Sequence, residues 1–495
     1  MKKKLLAAAC LLLAFAAVSC TSETPEKPAD SSESPSSASE PETDPRYDIP
    51  EPELPELDLT GQKYTFYTQV NLENEDPDEL FHPRDFLWVE GLIGEVVNDA
   101  VFNRNLKVEQ KFGCKVTMTA DETRPDVLIM AGDSTIDMVC GGSVLFGDTI
   151  YTGAYMNFKD LPYCNLESEY WNPSCVRDTV YKGKLYMMAN DVCLSPLSTT
   201  GFLYFNKRLV AEHDLESPYQ MVYDNTWTID NFLSMVKMVH GDTNGDGIYD
   251  TEDLYGALVK AEFRMGCFLQ FYFGSGKTFT VEDPDEGRVI AVDGDFAQNL
   301  IDKLYPVLED RTVCLNNYKV RDMTGDTKDK AYKTMFLEGH CLFIQEEIAA
   351  MELFRNMEDD YGIVPNPKYD SNQSDYYHRV FPHAVMFAAP VTIQDLEKTG
   401  AVTEYMAWLS HYTVLPAYYE ITVKQKRTRD EDAVNMLDII RRSMVFEFGD
   451  VYDSYMPNYM WNSYTDRSFS RKFGASLKIL QKRLKKYTKM LDSLD

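Results

Sequence analysis

The chain is poor in the residues that build most catalytic centres. Its seven histidines are scattered through 495 residues, and none forms a ligand-spaced pair. No two of the ten cysteines stand at CxxC spacing, which argues against a zinc site. GxSxG and HExxH are absent, and the one P-loop-like stretch, FGSGKT at 273–278, has Phe271 where the first glycine belongs. Basic residues are also scarce. Lys and Arg number 49 against 79 Asp and Glu, a net charge of −30, which argues against nucleic acid or an anionic membrane surface as partner of the globular part. Internal repeats are missing too.

What is present begins at the N-terminus. Lys2, Lys3 and Lys4 precede an apolar run from Leu5 to Val18, the pattern of a secretory signal and too short for a membrane span. The run ends in AVSC, the lipobox pattern that makes Cys20 the expected lipidated N-terminus. Residues 21–58 are rich in Pro, Ser and Glu, with twelve acids and two bases, and are expected to be a disordered tether with a reach on the order of 100 Å. The protein is therefore expected at the outer face of the cytoplasmic membrane, lipid-anchored and extracellular. Eight cysteines remain past Cys20. An even number outside the cell permits disulfides, yet most lie in apolar runs such as IDMVCG and HCLFI, so buried free thiols stay equally open.

The most explicit chemical motif is DTNGDGIYDTED, 242–253. In a twelve-residue calcium loop, oxygens come from positions 1, 3, 5, 7, 9 and 12, with glycine at 6. Here these are Asp242, Asn244, Asp246, the Ile248 carbonyl, Asp250 and Asp253, with Gly247 at the turn. A structural Ca²⁺ is the expectation. Position 12 is Asp rather than Glu, and a strand-like LYGALV follows where a second helix would be needed, so a switching EF-hand is not expected. The loop should brace a helix against a strand.

KYTFYTQV (63–70), CKVTMTA (114–120) and IDMVCG (136–141) read as strands, with a helix between the first two carrying Val96, Val97, Val101 and Leu106. That alternation implies a mostly parallel sheet with helices on its faces. TWTIDNFLSMVKMV (226–239) opens a helix capped by Thr228. VIAVDG (289–294) and HCLFIQ (340–345) read as the clearest later strands, and the chain beyond TIQDL is mostly helical, ending in a stripe of Leu477, Leu480, Leu484, Tyr487 and Leu491.

Several of these stretches, in this order, resemble the extracellular solute-binding proteins of ABC importers, carbohydrate-type family 1. GFLYFNKRLVAEHDL, TWTIDNFLSMVKMV, DTNGDGIYDTEDLYGAL, MFLEGHCLFIQ and DYGIVPNPKYD are similar to segments of that family. VNDAVFNRNLKVEQKFG and TVLPAYYEITVKQKRTRDEDAVNMLDII resemble a subgroup of large lipoprotein members. The resemblance implies an α/β, two-lobe, periplasmic-binding-protein-like (type II) fold with hinge strands and a helical C-terminal region. Residues 1–19 would be signal peptide and 20–58 tether. The first lobe would take 59–195 plus 378–425, the second 196–377 plus 426–495. Crossings are expected near Asn190–Leu197 and Val380–Pro390. The implied function is that of a monomer capturing a small solute, a mono- or oligosaccharide, in the cleft and delivering it to the permease subunits, with no chemistry done on it. A secreted glycoside hydrolase, or a calcium-stabilised surface glycan binder, is the alternative.

Sugars are held by aromatic faces and polar side chains. Candidate ligand contacts are Trp88, on an irregular stretch after the first strand; Tyr459 and Trp461, between helical segments; and the backbone of Gly141, Gly142 and Ser143. Asp191 at the first crossing, Arg264 after the calcium-loop strand, and Glu346 and Glu347 at the end of HCLFIQ complete the set. Trp227 and Trp408 are expected in the core.

Overall fold

The computed structural model describes residues 50–70, 86–262, 266–425, 428–452 and 455–494. The signal, the lipidation site, the tether up to residue 49 and Arg264 lie outside the described residues. Of the expected tether, 50–58 carries no helix or strand, and its Glu51 pairs with Lys111 at 2.7 Å.

The strands that position the site, among the described residues, include β1 Lys63–Gln69, β2 Lys115–Asp121, β3 Met138–Gly142, β4 Gly201–Asn206, β5 Tyr255–Val259, β6 Thr280–Asp283, β7 Gly287–Ile290, β8 Cys314–Asn316, β9 Cys341–Glu347, β10 Tyr361–Val364, β11 His378–Arg379 and β12 Val385–Ala388. One sheet has the order β12-β3-β1-β2, the other β10-β4-β9-β5-β8. In the first, β1 runs parallel to β2 (Lys63 opposite Lys115) and to β3, while β12 is antiparallel to β3. In the second, β8, β5 and β9 are parallel and β4 runs against β9 and β10. Parallel strands need helical crossovers, which cover the sheet faces. The buried patterns of β4, β5 and β10 follow from that.

Helix Val96–Phe112 is the crossover between β1 and β2. Glu95 accepts the Asn98 N–H at its start, and Gly113, at φ +75°, ends it in the left-handed conformation that glycine tolerates. Its buried face is Val97, Val101, Arg104, Val108 and Phe112; Val96 and Leu106, expected on that face, are exposed. Helix Ile229–Met238 starts on the Thr228 cap, as the sequence indicates, and leads through the 242–253 loop into β5. Trp227 is fully buried and donates to the Pro365 carbonyl at 2.7 Å. VIAVDG is strand only to Ile290. It belongs to the hairpin β6–β7, which joins neither sheet, and Asp293 caps the next helix by accepting the Phe296 N–H. The eight cysteines past Cys20 are free thiols, seven of them buried.

The chain passes between the two sheets several times. Met188 exchanges backbone hydrogen bonds with Phe387 beside the first sheet, and by Gly201 the chain is in the second. It returns between Val380, bridged to Thr200, and β12. A third passage follows the strand Met444–Val445, which lies parallel to β11 and runs into helix Phe448–Tyr452, packed on helix Ser143–Gly147 of the first lobe. Segments this short, bonded to one another, form a hinge. Among the described residues no helix is long and apolar enough to cross a membrane.

Candidate functional site

In open α/β sheets, ligands sit outside the carboxyl ends of the strands. The carboxyl ends of β5 and β9 carry a charged cluster. Lys260, which immediately follows β5 and is buried, lies 3.0 Å from both Glu346 and Glu347 at the end of β9, and Lys333 stands 4.0 Å from Glu346. Burial alone would depress the Lys260 ammonium, but the two carboxylates reverse this and hold it well above its ordinary value. Lys260 in turn keeps Glu346 below the usual carboxylate range despite burial, whereas burial raises Glu347. One Glu346 oxygen, Oε1, is buried without a hydrogen-bond partner. Beyond Lys260 the chain is fixed by Asn317, which accepts the Ala261 N–H and donates to Glu262, each at 3.0 Å.

Trp461 belongs to the same wall. Its ring lies directly on Gly266, where a Cβ would meet Trp461 Cζ3 at 2.4 Å, and Cys267 next door donates to the Lys260 carbonyl at 2.9 Å. Tyr459 and Trp461 are half-buried and sit inside a helix, Met456–Thr465, not between helices; Pro457 in its first turn is a helix-starting residue there. The structure thus pairs Lys260 with Glu346 and Glu347, and Trp461 is linked to them through the backbone of Gly266 and Cys267. Reasoning from sequence missed Lys260, although a lysine closing the apolar run YGALV was a signal.

Asp191 is placed elsewhere. It is 2% exposed and receives His411 Nδ1 at 2.7 Å and Arg441 Nη2 at 2.8 Å, tying the first crossing to two C-terminal helices. Its negative charge holds Arg441 above its ordinary value against burial. Trp88 is half-buried, next to Phe86 and Leu87, whose carbonyls are both gripped by Arg104. Arg104 is fully buried without a carboxylate, also donates to the Val192 carbonyl and Ser410, and burial lowers it to about 9.

Gly141, Gly142 and Ser143 stand at the lobe junction. The two glycines lie in the ladder with β12, and Ser143 Oγ donates to the Pro382 carbonyl at 2.8 Å. Of the three, Ser143 lines a cavity of about 10 Å³, together with Phe381, Pro382, Ala384, Phe446, Glu447 and Asp450. Glu447 accepts four hydrogen bonds, from Phe279 N, Thr280 N, Thr280 Oγ1 and Gly449 N. Asp450 is paired with Arg379 Nε.

In the 242–253 loop the oxygens are turned onto the loop's own backbone. Asp242 accepts Gly245 N and Gly247 N, Asn244 accepts Asp246 N, Asp246 accepts Ile248 N, and Asp250 accepts Glu252 N. Asp253 is buried and accepts Thr243 N and Asp250 N. Among the described residues, no three His, Cys, Asp or Glu side chains gather about one point.

No family model and no curated protein matches the chain. Solved structures do. A sugar transporter protein from Rhizobium etli, in an open conformation, aligns with TM-score 0.52 at 13% identity over 86% of this chain and 99% of its own. The GacH receptor of Streptomyces glaucescens aligns with TM-score 0.51 at 12% identity over 87% and 99%. A family 1 extracellular solute-binding protein from Bifidobacterium longum subsp. infantis gives 0.50 at 14% over 88% and 99%. With two α/β sheets joined by hinge strands, this chain has the two-lobe fold of the extracellular solute-binding proteins.

Proposed function

We propose that the protein is the substrate-binding component of an ABC importer, anchored through Cys20 to the outer face of the membrane, and that it captures a carbohydrate between its lobes and hands it to the permease. One observation carries this reading. The chain passes repeatedly between two sheets; at the carboxyl ends of β5 and β9 Lys260 pairs with Glu346 and Glu347, and an aromatic ring, Trp461, lies on Gly266 just beyond Lys260 in the chain. That mixture suits a sugar, whose C–H faces are apolar and whose hydroxyls need partners. The GacH receptor, of the same fold, was solved in complex with acarbose. A ligand that favours the closed arrangement shifts the population toward it by its differential affinity, and only such a ligand signals to a permease.

Thermal denaturation in the presence of glycans tests this. A bound sugar raises Tm by mass action, about 2.7 kcal/mol of stabilisation at a hundredfold excess over Kd, and leaves the sugar unchanged. Hydrolysis of the glycan would favour the glycosidase instead.

The 242–253 loop is proposed to hold Ca²⁺. Its donors fit in kind and order: Asp246 and Asp250 each keep one carboxylate oxygen out of the turn hydrogen bonds, and the Ile248 carbonyl stands between them in sequence. The ion would neutralise the loop's acids and brace helix Ile229–Met238 against β5.

A further inference from the structure

The cavity at the lobe junction is walled by the residue that follows β3 of the first lobe and by two of the three passages of the hinge. Ser143 closes β3 of the first lobe, Phe381 to Ala384 form the second crossing, and Phe446 to Asp450 the third. Its volume, about 10 Å³, is that of one water or one hydroxyl group. Most of the wall is apolar, with Val380, Phe381, Ala384, Met386 and Phe446. Its only charged members are carboxylates, Glu447 and Asp450.

The two carboxylates differ in one respect. Glu447 is supplied with four donors from the hairpin base and from Gly449. Asp450 is 3% exposed; Arg379 Nε donates to one of its oxygens, and the other, Oδ1, is buried with no hydrogen-bond partner among the described residues. Leaving a buried acceptor unmet destabilises the fold, more so when the group is charged. A group that enters the cavity and donates a hydrogen bond relieves this.

We propose that this cavity is the deep end of the ligand cleft, that Asp450 is the acceptor kept for a ligand hydroxyl, and that the ligand is a neutral sugar and not an acidic one. The inference rests on the solute-binding reading above and narrows its ligand class. A hydroxyl donates to Asp450 while its C–H neighbours lie against Phe381 and Phe446. A carboxylate or phosphate group brings a further negative charge against Asp450, whose Arg379 partner is already engaged, and is disfavoured.

The test is titration calorimetry and thermal denaturation of the full chain with glucose, galactose, xylose and maltotriose, and with glucuronate and galacturonate. A neutral sugar binds, and its uronate counterpart binds at least about tenfold more weakly. Asp450→Asn weakens the neutral sugar by about tenfold or more. Because Asp450 also holds Arg379, Ala384→Leu, at a lining residue outside that pair, is the second variant: its larger side chain occupies the cavity and also abolishes tight binding. Uronates that bind as well as neutral sugars, or two folded variants with wild-type affinity, overturn this inference and leave solute binding standing. If no sugar of the panel binds, both are overturned.

Discussion

Single residues at the hinge set how the protein responds to acid. His378 is fully buried; its Nε2 accepts the Asn366 N–H at 2.9 Å, so the proton sits on Nδ1, which donates to Ser443 Oγ at 2.7 Å. Burial lowers it to about 3. A histidine held neutral in the fold contributes stability above its unfolded value near 6.5 that is lost as pH falls toward 3, about 1.4 kcal/mol per unit. Glu447 runs the other way. Burial pushes it up to about 7 against the pull of Thr280 and Gly449, with Asp450 adding to the rise. Its contribution is fully present below about 4.5 and is lost as pH rises through about 7. The two slopes oppose each other between about 4.5 and 6.5. In urea unfolding across pH 4 to 7, the stability of His378→Gln should therefore fall more steeply with rising pH than that of the wild-type protein, and an identical pH dependence would remove His378 from the account.

At the scale of elements, the 242–253 loop and the hairpin β6–β7 carry the sharpest expectations. Chelation with EDTA should lower Tm while leaving sugar affinity nearly unchanged, since the loop lies between helix Ile229–Met238 and β5 and away from the strand ends that form the site. A large loss of affinity without loss of Tm would contradict a bracing role. The hairpin leaves the second lobe and fastens onto residues 177–182 of the first. Arg288 donates to the carbonyls of Asp178 at 2.8 Å and Val180 at 3.1 Å and pairs with Glu282 at 3.0 Å, while Glu282 accepts the Lys182 N–H at 3.1 Å. Arg288→Ala leaves these acceptors unmet and should weaken lobe contact by roughly 1–3 kcal/mol. Spin labels placed one per lobe should report longer distances in the ligand-free variant, and unaltered distances would show that the hairpin is no clasp.

For the molecule as a whole, the sequence revealed what depends on local pattern and hid what depends on distant partners. β1 to β3, β9, the Thr228-capped helix and the buried Trp227 follow from periodicity, capping and turn chemistry. Arg104 could not be read as a core residue, because its partners come from Phe86, Leu87, Val192 and Ser410. The same holds for Asp191, whose His411 and Arg441 lie 220 and 250 positions away. VIAVDG misled because a β-branched run fits a hairpin arm as well as a sheet strand. Glu346 and Glu347, named from the sequence, fall in the charged cluster at the strand ends. The Phe446–Asp450 turn was not legible, although acids between aromatics in FEFGD were a signal.

The placement of β12 has a consequence for how the protein comes into being. Residues 385–388 pair with β3, more than two hundred positions earlier, and helix Leu396–Val423 packs on helix Val96–Phe112. A polypeptide emerging N-terminus first therefore holds β1, β2 and β3 as an unfinished sheet until residue 388 of 495 is free. Pairing across such separations is slow to form. The first sheet, begun earliest, is therefore completed last, after every strand of the second sheet, residues 201–364, has already emerged.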